Sequence, residues 1–149
     1  PISKNISLAN LGKVTHRGMV SRKQEKDVAE EYVELLSIKT PSTEQRAINL
    51  SGGNQQKVVI AKWLFADSDI IILDEPTRGI DIGAKHEIYL LINRLVQEGK
   101  SIIFISSELP ELLAMSDRII VVNEGRIKGS LERKEDITAE NVMQLILKN

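Results

Sequence analysis

Cysteine is absent from this chain, which removes any disulfide framework and leaves the cytoplasm as the expected compartment. Without cysteine, and with His86 as the only other histidine, His16 reads as an exposed loop residue rather than a metal ligand. Aromatic residues make up 3% of the chain. The basic residues Arg17, Arg22 and Lys23 therefore have no stacking platform beside them and read as a solvated loop rather than a nucleic-acid contact. Neither sign of charge dominates: 20 Lys and Arg against 21 Asp and Glu give a net charge of −1, with no footprint for nucleic acid or an anionic membrane. No apolar run approaches the roughly 18–20 residues that a membrane span requires, and no signal peptide is visible.

What is present suits one domain with a core of its own: 149 residues, 42% hydrophobic and 28% charged. Two stretches carry the chemistry. Leu50-Ser-Gly-Gly-Asn-Gln-Gln-Lys57 puts a Ser-Gly-Gly run directly before a helical pattern, so the first turn has no side chains. Bare N–H groups and the positive end of a helix dipole suit a phosphate, and Ser51 can either cap the helix or donate its hydroxyl to the same anion. An ordinary glycine turn is the alternative. Asp69-Ile-Ile-Ile-Leu-Asp-Glu-Pro76 reads as a buried parallel strand tipped by two carboxylates. The C-terminal tip of such a strand is where ligands sit in open α/β sheets. Asp74 there can hold Mg²⁺ through water, and Glu75 can orient and deprotonate an attacking water. The bland reading, strand termination, leaves two side-by-side carboxylates against an apolar run unexplained.

Leu50-Ser51-Gly52-Gly53, followed about twenty residues on by Ile70-Ile-Ile-Leu-Asp74-Glu75-Pro76-Thr77, resembles the signature and Walker B motifs of ATP-binding-cassette (ABC) ATPases. The longer strings LSGGNQQK and LDEPTRGIDIGAK resemble the second cassette of tandem ATP-binding subunits that drive bacterial monosaccharide importers of the ribose, galactose and xylose type. That resemblance implies an α/β, partial P-loop NTPase-like fold: a parallel sheet flanked by helices, with part of the helical subdomain in residues 1–50. Residues 51–149 would be the C-terminal part of the catalytic subdomain, ending in a hairpin and a helix. It implies ATP and Mg²⁺ as cofactors, with Asp74 in the metal shell and Glu75 catalytic. Ser51, Gly52, Gly53, Asn54 and Gln55 belong to the signature that meets the γ-phosphate of ATP held by the opposite cassette. Asp81 falls at the D-loop aspartate, with helix capping as its alternative role. The implied partners are the rest of the cassette, a second cassette, transmembrane permease subunits and, indirectly, an extracytoplasmic sugar-binding protein, with no nucleic acid. The expected place is the cytoplasmic face of the membrane.

The sequence departs from the family pattern in two ways. No G-x-x-x-x-G-K-[ST] motif occurs: Gly99-Lys100-Ser101 has Arg94 where the first glycine belongs, and it ends a helix instead of opening one. The expectation is thus the C-terminal half of a cassette, inactive alone. At the position of the family's switch histidine stands Ser107, which can hydrogen-bond but cannot carry charge near neutral pH as imidazole can. The competing functional classes are a non-transport cassette ATPase in DNA repair or translation, and a non-catalytic regulatory half-site. Sustained heptads of the chromosome-maintenance type are missing.

Along the chain, Ile6, Leu8, Leu11 and Val14 suit a short helix, and His16–Lys23 a basic turn. A helix is expected over 24–37 with Val28, Tyr32, Val33, Leu35 and Leu36 inside, then a loop over 40–45. Trp63 reads as a packing residue in the helix after Ser51, not an adenine platform. Helices are also expected over about 82–98, 110–114 and 138–147. Strands are expected at 102–105 and 118–122, the latter returning through Asn123-Glu-Gly-Arg126 into 127–131. Strand–helix alternation over 69–122 predicts a parallel sheet with right-handed crossovers.

Overall fold

The computed structural model describes residues 1–147; positions 148 and 149, the end of the expected catalytic subdomain, lie outside them. The chain divides into two compact units, Pro1–Ile72 with Pro76–Ile103, and Leu73–Glu75 with the residues from Phe104 onward.

In the first unit, α1 (Ile2–Ser7) runs into a 3₁₀ segment, Leu8–Val14. Ile2, Ile6 and Val14 are fully buried and join Ala29, Leu36, Ile38, Val58, Ala61 and Phe65 in one core. The expected apolar stripe is split, with Leu8 and Leu11 exposed. The chain changes to the tighter 3₁₀ winding and kinks at Asn10, so the 3.6-residue period fails there. The basic turn is a small hairpin, β1 (Thr15–His16) with β2 (Met19–Val20), closed by Arg17 and Gly18, both at positive φ. Helix α2 (Arg22–Leu35) begins two residues earlier than the apolar pattern suggests, because Ser21 supplies the cap and accepts from the Gln24 N–H. It ends with Ser37 N–H donating to Glu34 O and Ile38 N–H to Val33 O, Ser37 standing at φ 49°. Leu35 is outside the core that Val28, Tyr32 and Val33 reach. Glu25 is buried because its carboxylate accepts from the Ser7 hydroxyl at 2.7 Å.

Helix α3 (Gly52–Phe65) buries Val58, Ile60, Ala61 and Phe65. Trp63 lies in the helix as expected, but it is half exposed, with the Lys62 ammonium 4.8 Å from its ring centroid. Strand β3 (Ile70–Asp74) and β4 (Ser101–Ile105) form a two-stranded sheet, joined through α4 (Ile82–Gln97). The all-apolar run of β3 predicts burial on both faces; Ile71 and Leu73 are buried, whereas Ile70 and Ile72 remain 59% and 62% exposed. Helix α4 closes at Gly99 (φ 91°), with Gly99 N–H donating to Val96 O and Lys100 N–H to Leu95 O. Gly99-Lys100-Ser101 is thereby a helix exit into a strand.

In the second unit, α5 (Leu109–Met115) precedes the antiparallel hairpin β5 (Ile119–Asn123) and β6 (Arg126–Leu131). Glu124 and Gly125, both at positive φ, turn the chain back within two residues. The strand–helix alternation places β5 in the parallel sheet; among the described residues it pairs with β6 alone. Helix α6 (Ala139–Leu147) packs Val142 and Leu145 on Ile119 and Val121, together with Leu109, Leu112 and Leu113 of α5. A Cβ on Gly129 would stand 2.7 Å from Leu145 Cδ2, so a glycine lets α6 approach the hairpin. Among the described residues no helix is long and apolar enough to cross a membrane.

Candidate functional site

The first unit carries a shallow hollow of about 240 Å³ where the N-termini of α3 and α4 converge, lined among others by Lys39, Ser51, Asn54, Lys57, Asp81 and Glu87. Close approach of the two helices makes it. A Cβ on Gly53 would stand 2.6 Å from the Ala84 Cβ, closer than two such carbons ever come, so Gly53 is the contact residue between them. A Cβ on Gly52 would meet the Ile80 Cγ2 at 3.5 Å and the Gly79 O at 3.8 Å, both ordinary contacts. Ser51 and Gly52 are exposed and Gly53 is buried, so the two signature glycines serve different ends.

The polar side chains are mostly engaged within the chain. Asp81 caps α4, its carboxylate accepting from the Ala84 N–H at 2.9 Å. Ser51 forms no such bond with α3 and accepts instead from the Asn54 amide at 2.8 Å. Asn54 Oδ1 accepts from the Lys39 N–H at 2.8 Å, and Gln55 Nε2 donates to Leu50 O at 2.8 Å. Both amides therefore tie the loops around residues 39 and 50 to α3.

Sequence reasoning missed Lys57. Its ammonium is buried, donates to Ser37 O at 3.1 Å and pairs with Glu87 at 2.7 Å, locking the end of α2, α3 and α4 together. The hydrogen bond from Lys57, and then its charge, hold the Glu87 carboxyl below the usual 4.5. A depressed carboxyl pKa contributes stability that is present above the unfolded value and is lost as pH falls through the folded one. The stability of Glu87→Gln should therefore fall short of the parent's at neutral pH and converge on it in acid, once the pH is below the lowered folded-state value. In Lys57→Met, the NMR titration of Glu87 should return to the ordinary glutamate range.

The second unit holds the carboxylate tip. Asp74 ends β3 and is exposed; Glu75 follows at φ 48°. Glu75 N–H donates to Ile105 O, and its Oε1 accepts from the Ser107 N–H at 2.9 Å. Ser107 thus meets Glu75 through its backbone. Next to it the Ser106 hydroxyl donates to Glu111 at 2.8 Å and accepts from the Glu108 N–H at 3.0 Å, fixing the loop that presents Ser107. No three-ligand His, Cys, Asp or Glu cluster for a metal exists among the described residues. Mg²⁺ with a nucleotide takes one or two carboxylates and fills its other positions with water and phosphate oxygens, so Asp74 at an open strand tip fits that requirement.

The class follows from superposition: this is the α/β fold of ABC ATPase cassettes. MJ1267, an ATP-binding cassette of an ABC transporter, superposes with a TM-score of 0.79 at 20% identity, over 99% of this chain and 62% of that one. MJ0796, a dimeric cassette with ADP and Pi bound, gives 0.73 at 25% identity over 88% and 56%. A family profile described as ABC transporter matches residues 2–78; the chain belongs to the ABC transporter family. It is 54% identical over 147 residues to the L-arabinose transport ATP-binding protein AraG of Geobacillus stearothermophilus, covering 99% of this chain and 28% of AraG. The ribose import ATP-binding protein RbsA of Bacillus subtilis (strain 168) is 53% identical over 97% of this chain and 29% of its own length. The xylose import ATP-binding protein XylG of Thermoanaerobacter pseudethanolicus is 54% identical over 90% and 26%. The chain spans under a third of the length of these curated relatives.

Proposed function

We propose that this chain is the C-terminal half of a cassette in the ATP-hydrolysing subunit of a monosaccharide importer. The observation that carries the reading is identity above half, over nearly the whole chain, to proteins named for arabinose, ribose and xylose import. On this reading residues 1–50 belong to the helical subdomain and residues 51–149 to the catalytic one. The two part at Leu50, where the loop meets the signature helix.

Bound ATP with Mg²⁺ would supply the transferable phosphoryl group and its charge compensation. Asp74 offers a carboxylate to the metal shell. Glu75, aimed by the Ser107 N–H, takes the proton of the attacking water. Ser51 and the α3 N-terminus face the terminal phosphate held by a second cassette, Gly53 brings α4 against them, and Asp81 holds the start of α4. Asp74–Glu75 and Ser51–Gly53 thus serve different nucleotides, which agrees with the dimeric cassette named for MJ0796. Permease subunits, an extracytoplasmic sugar-binding protein and a place on the inner face of the membrane follow from the import role. Ile70 and Ile72 on the open face of β3 suit cover by the remainder of the cassette.

Lacking a G-x-x-x-x-G-K-[ST] loop, the 149-residue chain is expected to release no phosphate from ATP, while the intact subunit containing it does. Clear turnover by the chain alone would end the half-cassette reading. Histidine at position 107 would add an imidazole that can share the proton, so Ser107→His in the intact subunit is expected to raise hydrolysis at this site. An unchanged rate there would mean that the serine does not limit it.

A further inference from the structure

We infer that Asn54 is a positioning residue that makes the Ser51 hydroxyl a dedicated hydrogen-bond donor toward the terminal phosphoryl oxygens of a nucleoside triphosphate. The inference rests on the reading above, in which Ser51 faces that phosphate, and adds the residue that sets the direction of its proton.

Hydrogen-bond polarity carries the argument. The Lys39 backbone N–H can only donate, so the Asn54 atom 2.8 Å from it is the carbonyl oxygen, and the amide cannot be flipped. Its NH₂ group therefore faces Ser51 Oγ, also at 2.8 Å. An amide nitrogen has no lone pair to offer, so Ser51 accepts in that bond and its own proton points elsewhere. A serine opening a helix ordinarily spends its oxygen on an N–H of the first turn, as Asp81 does on α4. Ser51 makes no such bond, and it is exposed at the mouth of the hollow. What remains to it is donation outward, with its O–H polarised by the Asn54 bond it accepts.

The relay is anchored behind Asn54. Lys39 lies just past the left-handed Ser37 that ends α2, and Ser37 O accepts from the buried Lys57 ammonium. Asn54 and Lys57, one helical turn apart on α3, hold the same short loop at two points, so the Lys39 N–H cannot drift from the amide. Replacing the amide by a carboxylate keeps the shape and the Lys39 bond but reverses the second one: Ser51 would donate to Asp and have no proton left for phosphate.

The test is a double-mutant cycle on ATP hydrolysis by the intact subunit, with kcat and KM read separately for Ser51→Ala, Asn54→Asp and the pair. Loss of one charge-assisted hydrogen bond predicts a drop of about 10- to 100-fold in kcat/KM for each single variant. The pair is expected to be no worse than the poorer single, because both remove the same bond. Additive losses would overturn the inference, since the new carboxylate would then repel the nucleotide without Ser51. So would a normal Asn54→Asp alongside an impaired Ser51→Ala. A normal Ser51→Ala would instead overturn the placement of Ser51 at the phosphate. Asn54→Leu, similar in size and neutral, runs the same cycle without added charge should Asn54→Asp fail to fold. With Leu the freed hydroxyl still reaches phosphate part of the time, so a loss smaller than that of Asn54→Asp supports the relay and a larger one overturns it.

Discussion

Glu75→Gln in the intact subunit is expected to lower turnover at the nucleotide site that Glu75 completes by about 10²–10⁴-fold while ATP binding is retained. Glutamine keeps the shape of the side chain, and its carbonyl oxygen can still accept from the Ser107 N–H that now holds Glu75 at 2.9 Å. What it cannot do is take a proton. The backbone shows how closely the side chain is aimed: φ is 48° at a residue with a Cβ, a conformation that costs about 1–3 kcal/mol and persists where the surroundings over-determine it. Here the Glu75 N–H to Ile105 O bond and the Ser107 N–H do so together. Phosphate release measured across ATP concentrations, with the second cassette's own catalytic carboxylate removed in parent and variant alike, separates the outcomes, and a kcat close to that parent's would remove Glu75 from the chemistry. Ser107→Ala belongs in the same experiment. Because the contact is a backbone one, its loss is expected to be much smaller than that of Glu75→Gln.

Gly53→Ala is expected to destabilise the nucleotide-free protein by about 1–3 kcal/mol, the usual effect of overpacking a tight contact. The obstacle is the Ala84 Cβ on a packed helix, not the end of a flexible side chain, so α3 and α4 must move apart. That shift also displaces Ser51 and Asp81 from the common hollow, so hydrolysis should fall with stability. Gly52→Ala is the control: its new methyl finds an ordinary contact with Ile80, so the midpoint should hardly move, and any loss should appear only with nucleotide. Thermal unfolding without ATP decides the matter. Equal midpoints for the two variants would mean that the helices give way easily and that Gly53 is not a packing residue.

Much of the fold was legible because its signals are local. The apolar spacing of Ile88, Ile92 and Leu95, with Gly99 after it, sets both the face and the end of α4. Asn123-Glu-Gly-Arg126 marks the hairpin, since Gly125 accepts positive φ without strain. Three features escaped. The 3₁₀ winding after Ser7 exposes Leu8 and Leu11, and nothing in the apolar pattern distinguishes it from a continued α-helix. Trp63 reads as core by composition, yet it faces outward with Lys62 above it. Alternation also places β5 in the parallel sheet, but among the described residues its only partner is β6, the strand that the legible turn returns.

The sequence by itself determined which groups are offered to a ligand: a glycine-opened helix, two carboxylates after an apolar strand, and the family whose pattern they match, because such motifs are contiguous and fix their own backbone geometry. Only the tertiary structure decided what each group is free to do. The 2.6 Å approach at Gly53, the buried Lys57 between Ser37 and Glu87, the Ser107 N–H on Glu75 and the Lys39–Asn54–Ser51 relay each join residues that folding alone brings together. A hydrogen bond takes its direction from both partners, and a sequence names the partners without saying which of them meet.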